Sequence, residues 1–202
     1  QPALEVVTES VRRTREQSLK AERDAIVRLS ALPETRQLLR LFFLQDKAKK
    51  HRHTDAEPRS IKSVAVIGAG VMGSGIAYWL STRGMNVILS DIAPEAVAKG
   101  MKGITKLYKD AVSRRVMTAT EAERGMDRLL PTVESVPLSR CDLVIEAPVE
   151  ELSIKKKIFA DLSSRVSPQT LLATNTSALP IHELVSAISH PARLLGLPLF
   201  NP

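Results

Sequence analysis

The spacing of apolar positions changes along the chain and divides it in two. Over residues 4 to 31, Leu4, Val7, Val11, Leu19, Ile26 and Leu29 form a thin stripe among charged residues. That spacing predicts one long amphipathic helix. Pro33 interrupts it, and Leu38, Leu41, Phe42 and Leu44, widened by Phe43, mark the apolar side of a second helix over about 34–50. Phe42 and Phe43 are too apolar for a helix standing alone and predict packing on another domain. Residues 47–59 are polar and basic and read as a linker. From Ile61 the pattern switches to short, continuous apolar runs alternating with helical periodicity. Such runs are how strands buried on both faces of a parallel sheet read. They predict strands over 63–67, 86–91, 132–136, 142–146, 170–174 and 193–197. Helices are predicted over about 71–83, 94–116, 119–129, 151–165 and 180–188, with Thr120 and Glu123 as a capping box for the third of these.

The first strand runs directly into Gly68, Gly70 and Gly73, spaced G-x-G-x-x-G. In that motif the first glycine makes the tight turn, the second clears room for a pyrophosphate, and the third lets the helix lie close on the strand. Ile76, Ala77 and Leu80 continue at helical spacing, so a helix N-terminus opens where a phosphate would sit. Asp91 closes the second strand about 20 residues past the motif, where a carboxylate takes the adenosine ribose hydroxyls. The competing reading makes Asp91 a plain cap for the helix near Pro94. An acid here repels a 2′-phosphate and favours NAD over NADP. The fold class is therefore α/β: a Rossmann-like doubly wound parallel sheet of order 3-2-1-4-5-6, preceded by a helical extension. The division falls at 1–60 and 61–202.

Ligands of such sheets bind outside the carboxyl ends of the strands. There the sequence gathers Ala147, Pro148, Val149 and Glu150, then Asn175, Thr176 and Ser177, then Pro198 to Pro202. Asn, Thr and Ser also serve ordinary turns and caps, and that is the default for 175–177 taken alone. Lys155, Lys156 and Lys157 read by default as a solvated helix face.

Composition narrows the partners. The net charge is +7 in 202 residues. Through Lys62 there are 14 Lys and Arg against 9 Asp and Glu, so most of the excess lies in the helical extension, mixed with acids. With 3% aromatics there is no base-stacking platform, and nucleic acid is not the expected partner. The 44% hydrophobic content supports a core, while no apolar run is long enough for a membrane span. His51 and His53 lack further ligands at zinc spacing, so no metal site is expected. Cys141 is the single cysteine, which rules out an internal disulfide and fits a reducing compartment, with a bacterial-type cytoplasm as the expected location. The chain starts at Gln1 and not at Met, and is expected to be a piece of something longer.

Five stretches resemble the NAD-binding domain of the 3-hydroxyacyl-CoA dehydrogenase family over residues 61–202. They are Val66–Ala77 with its glycines, Asp91, Asp142–Ala147 with Val149 and Glu150, Asn175–Ser177, and Gly196–Pro202. The segment Leu41–Lys50 is similar to the join between hydratase and dehydrogenase parts in multifunctional fatty-acid oxidation proteins. The resemblance implies hydride transfer from the 3-hydroxyl of an acyl-CoA to NAD. It implies that Gly68, Gly70, Val71, Met72 and Gly73 hold the pyrophosphate and Asp91 the ribose. Glu150, Lys155 and Asn175 would meet the nicotinamide half, with Ala147 a further cofactor-binding position. Ser177 would hydrogen-bond the substrate oxygen. An acyl-CoA, a hydratase-type part, a C-terminal dehydrogenase domain and a second copy of the chain are the implied partners.

One departure stands out. Where the family places its histidine general base, this chain has Pro198, followed by Leu199 in place of an aromatic residue. Proline neither takes nor gives a proton. Two readings follow: an incomplete piece of an NAD-dependent dehydrogenase, or a dinucleotide-binding or scaffold remnant without turnover. Another NAD enzyme on the same fold would share the glycine loop but not Asn175–Ser177 with the Asn201-Pro202 ending.

Overall fold

A computed structural model describes residues 2–51, 54–148 and 150–199. His53, Val149 and the closing 200–202, which carry parts of the sequence argument, lie outside these residues. The chain forms two compact units, Gln1–Pro58 and Arg59–Pro202.

The first unit holds α1 (Pro2–Ser10), α2 (Arg15–Ser30) and α3 (Pro33–Lys50). The single long helix predicted over 4–31 is thus two helices. Thr14 ends the break as N-cap of α2: its hydroxyl accepts from Gln17 N–H, and Gln17 reaches back to Thr14 N–H. This T-x-x-Q capping box was present in the sequence and competes with helix continuation. Pro33 sits at the start of α3, where its missing N–H loses nothing. Among the described side chains of α2 and α3 none is buried, and Phe42 and Phe43 are 61% and 64% exposed.

The second unit is a six-stranded, all-parallel sheet of order β3-β2-β1-β4-β5-β6, the order the sequence predicts. Its strands are β1 (Ser63–Ile67), β2 (Asn86–Ser90), β3 (Leu129–Thr132), β4 (Leu143–Glu146), β5 (Leu171–Thr174) and β6 (Leu194–Gly196). The helices are α4 (Val71–Thr82), α5 (Pro94–Ser113), α6 (Ala119–Met126), α7 (Leu152–Arg165) and α8 (Ile181–Val185). The period-two alternation of β1 shows why both faces are apolar. Val64 and Val66 join Ile76, Leu80, Val97 and Ile104 on one face, while Ala65 packs with Phe159, Leu162 and Leu172 on the other.

Two differences from the sequence reading have a plain physical reason. The third strand lies at 129–132, not 132–136, and includes Pro131. Proline is tolerated because β3 is an edge strand, where no ladder bond is needed on its outer side. The α6 cap is Thr118 with Glu121, not Thr120 with Glu123. Both threonines have a glutamate three residues on, so sequence alone does not separate them.

The chain enters the sheet through a polar latch. Asp142 Oδ2 accepts from Lys62 and Ser63 N–H at 2.9 and 3.0 Å, and these bonds hold its carboxyl below the ordinary aspartate range. The Arg59 guanidinium donates to Gln169 O at 2.9 Å and Asp142 O at 3.1 Å. The latch closes the amino edge of the strands and leaves the carboxyl edge open.

Candidate functional site

The glycine loop joins β1 to α4 at that carboxyl edge. Gly68 has φ +102°, a conformation side chains rarely adopt, and a Cβ there would lie 2.9 Å from Pro148 N. A Cβ on Gly73 would lie 1.7 Å from Gly68 O, so only glycine lets α4 lie this close to the loop. Gly70 is different: a Cβ there meets nothing within 4 Å. The open space lies at the N-terminus of α4, a 12-residue helix whose first turn receives no side-chain cap. Uncapped N–H groups with a positive dipole end suit an anion. Pyrophosphate therefore fits the residues present.

Asp91 is tied directly to this loop. Its Oδ2 accepts from Ala69 N–H at 2.8 Å and its Oδ1 from Ala93 N–H at 3.1 Å. It is not the N-cap of α5; that position is Ala93, without a side-chain bond. Beside Asp91 opens a cleft of about 330 Å³, lined in part by Ile67, Ile92, Val133 and Ile158. A smaller polar cleft of about 170 Å³, lined by Arg59, Arg140, Asp142 and Thr170, sits at the amino edge, away from the glycine loop.

Across the edge, the loops after β4 and β5 are bound to each other. Glu150 Oε1 accepts from the Thr176 hydroxyl, from Ser177 N–H at 3.1 Å and from Ala178 N–H at 3.3 Å. Partial burial pushes the Glu150 carboxyl up. The bonds from Thr176, Ser177 and Ala178, with nearby Lys155, outweigh that and hold it below the ordinary glutamate range. Asn175 Oδ1 accepts from Leu199 N–H at 2.6 Å, which fixes the segment after β6. Ala147 N–H belongs to the β1–β4 ladder, donating to Ile67 O at 2.8 Å. Ser177 is exposed, and its hydroxyl has no partner among the described residues. Pro198 is exposed after β6. His182 and His190 flank the rest of α8, in the stretch that leads back to the amino end of β6.

Lys155 overturns the solvated-face reading. It is 0% exposed and pairs with Glu146 at 2.6 Å, while its neighbour Lys157 is exposed. Glu146, a buried carboxylate at the end of β4, was missed as a site residue. The signal was available: Lys155, Phe159 and Leu162 are the buried positions of α7, at i, i+4 and i+7. Among the described residues, no three His, Cys, Asp or Glu side chains converge as a metal site. No helix among them is long and apolar enough to cross a membrane.

A parallel sheet of this order, a glycine loop against an uncapped helix and a carboxylate after β2 together define a dinucleotide-binding domain. Residues 63–202 match the family described as 3-hydroxyacyl-CoA dehydrogenase, NAD binding domain, and the chain belongs to that family. NAD is its cofactor. The chain is 43% identical over 143 residues to 3-hydroxyadipyl-CoA dehydrogenase of Escherichia coli K12, covering 71% of this chain and 30% of that protein. It is similar to the crystal structure of 3-hydroxybutyryl-CoA dehydrogenase from the same organism, with TM-score 0.69, 42% identity and coverage of 71% and 30%. The dehydrogenase part of multifunctional enzyme 1 from C. elegans is similar over 76% of this chain and 35% of that one, with TM-score 0.66 and 29% identity. The chain thus spans about a third of the length of these relatives.

Proposed function

We propose that NAD lies along the carboxyl edge of the sheet and receives hydride from the 3-hydroxyl of an acyl-CoA, in fatty-acid oxidation. Gly68, Gly70, Val71, Met72 and Gly73 hold the pyrophosphate. Asp91 holds the adenosine ribose, with adenine in the cleft beside Ile92. Ala147, Glu150, Lys155 and Asn175 serve the nicotinamide half, and the free Ser177 hydroxyl meets the substrate oxygen. The observation that carries this reading is the 2.8 Å bond from Ala69 N–H to Asp91, which joins the glycine loop and the ribose-side carboxylate into one unit. The supporting chemistry is simple: a nicotinamide accepts hydride, and this chain's residues bind and orient both reactants.

The test is fluorescence titration with NADH and NADPH. NADH binds and NADPH binds weakly, because a 2′-phosphate would meet the Asp91 carboxylate. Asp91→Ala weakens NADH and narrows the gap. Equal affinity of the native chain for both cofactors would overturn the role of Asp91.

The helical extension is read as the end of a hydratase-type part. Exposed Phe42 and Phe43 support that, as does similarity to the dehydrogenase part of a multifunctional enzyme. A hydratase-type part, a C-terminal dehydrogenase domain and a second copy are the proposed protein partners. A cytoplasmic setting is in keeping with a single cysteine, Cys141, which is buried. A second reading, a dinucleotide-binding module without turnover, is favoured by Pro198, since positioned acid–base groups contribute about 10²–10⁴-fold. The check is NADH formation with NAD and 3-hydroxybutyryl-CoA. Turnover on the order of 10 per second would remove the second reading.

A further inference from the structure

The amino edge of the sheet gathers positive charge that no acid balances. Arg59, Ser139, Arg140, Asp142, Ser167 and Gln169 all line its cleft of about 170 Å³. Two backbone carbonyls hold the Arg59 guanidinium in place, Gln169 O at 2.9 Å and Asp142 O at 3.1 Å, and its other N–H groups stay available. Arg140 is exposed, and its guanidinium donates to nothing among the described residues. The Ser139 hydroxyl and the Gln169 side-chain amide are equally unpartnered there. The one acid in the lining, Asp142, has its Oδ2 taken by Lys62 and Ser63 N–H. A third cation lies behind the wall. Arg193, 6% exposed, donates to Ser167 O at 2.7 Å. It forms no ion pair among the described residues, and its buried Nε has no hydrogen-bond partner there. A charge taken out of water without a counter-charge is costly, and an anion in the adjoining cleft offsets that cost.

Size and donor chemistry narrow the ligand. Pockets for drug-sized molecules run to about 300–1,000 Å³. At about 170 Å³ this cleft has room for a group of phosphate size and not for a dinucleotide. Its unpartnered groups are donors: a guanidinium, a hydroxyl and an amide. Guanidinium forks match the oxygens of phosphate in pairs. We propose that the amino-edge cleft binds a phosphate group, held between Arg59 and Arg140, with Ser139 and Gln169 completing the donor set. The occupied site ties Arg59, where the second unit begins, to the residues that lead into β4, and so reinforces the latch. It lies at the opposite ends of the strands from the glycine loop and is independent of the NAD assignment.

The test is a titration of the full chain with inorganic phosphate, followed by backbone amide NMR shifts. Phosphate replaces chloride at constant ionic strength and neutral pH, so that screening does not change. The amides of 139–142, Ser167, Gln169 and Thr170 shift along one saturating curve, with Kd on the order of 1 mM. Phosphate at the glycine loop is read separately, at Ala69–Met72. Arg140→Gln, at an exposed residue without a partner, weakens the amino-edge curve about tenfold, the loss of one charge-assisted contact. Lys102→Gln removes the same charge from the exposed side of α5 and leaves the curve within about twofold, because that charge is screened from the cleft. Glycerol phosphate in place of the free ion distinguishes the sources. Saturation as tight or tighter makes the ligand a phosphomonoester, and weaker saturation makes it the free ion. Three results overturn the proposal: amino-edge amides that drift without saturating; an unchanged curve in Arg140→Gln; or an equal loss in Lys102→Gln, the mark of a general charge effect.

Discussion

Single residues divide the glycine loop into two kinds of position. At Gly73 a Cβ would overlap Gly68 O at 1.7 Å, so the constraint comes from the fold. At Gly70 the φ of −67° is open to any residue, and a Cβ meets nothing within 4 Å, so the constraint comes from the ligand. Gly70→Val therefore leaves the unfolding midpoint unchanged and abolishes NADH binding. Gly73→Val lowers the midpoint as well, since overpacking costs about 1–3 kcal/mol or more. Paired urea unfolding and NADH titration separate the two; a Gly70→Val chain that still bound NADH would mean the loop faces something else. Both the motif and this division were legible in the sequence, because in a strand–turn–helix of this spacing the second glycine faces the pyrophosphate and the third faces the helix packing. The burial of Lys155 was legible only through the phase of its helix. Three consecutive lysines look alike in the sequence, and only the helical phase that α7 presents to Phe159 and Leu162 sends the first of them into the core.

At the scale of elements, the strands were the legible part. A strand buried on both faces must be apolar throughout, so β1, β2, β4 and β5 declare themselves as runs. The edge strand β3 does not, and Pro131 within it points away from a strand. The starts of α4, α5 and α6 were legible, but not which residue caps α6. Before α6, Thr118 and Thr120 compete, and the structure gives the capping box to Thr118, whose hydroxyl accepts from Glu121 N–H at 3.2 Å. Thr118→Ala is expected to cost about 1 kcal/mol. That corresponds to a fall of about 2–4 °C in Tm for a chain of this size. Thr120→Ala, in the first turn, changes Tm little, because alanine is the better helix former there. Equal effects of the two in thermal unfolding would move the cap. Glu121 completes the box: Thr118 N–H and hydroxyl hold its carboxyl below the ordinary glutamate range. Its share of stability is present above the ordinary glutamate pKa and is lost as pH falls through the lowered one.

Across the whole molecule, the two units differ in what holds them together. Gln1–Pro58 has helices whose described side chains leave Leu38, Leu41, Phe42 and Phe43 exposed, while Arg59–Pro202 encloses two apolar cores on either face of a sheet. Between α3 and β1 the described residues 54–58 are exposed, and Ala56 N–H to Thr54 Oγ1 at 3.1 Å is the one hydrogen bond found within them. At Arg59 this changes abruptly, because its guanidinium is held by two backbone carbonyls and the next residues are held by Asp142. Proteases need several residues of backbone to leave their hydrogen bonds, and the opening free energy of such a segment is near zero, whereas the latch and sheet open only with the core. Limited trypsin digestion is therefore expected to cut first after Lys50 or within 51–58. The persistent fragment should begin at His51 or His53 and bind NADH as the intact chain does. Mass spectrometry of the fragment locates the cut, and titration of the fragment gives its affinity. A first cut inside 63–199 would contradict the latch, and a fragment from His51 or His53 that had lost NADH binding would mean the helical unit contributes to the site. Asp142→Ala should bring the first cut past Arg59, since it frees the N–H groups of Lys62 and Ser63 that now end the linker.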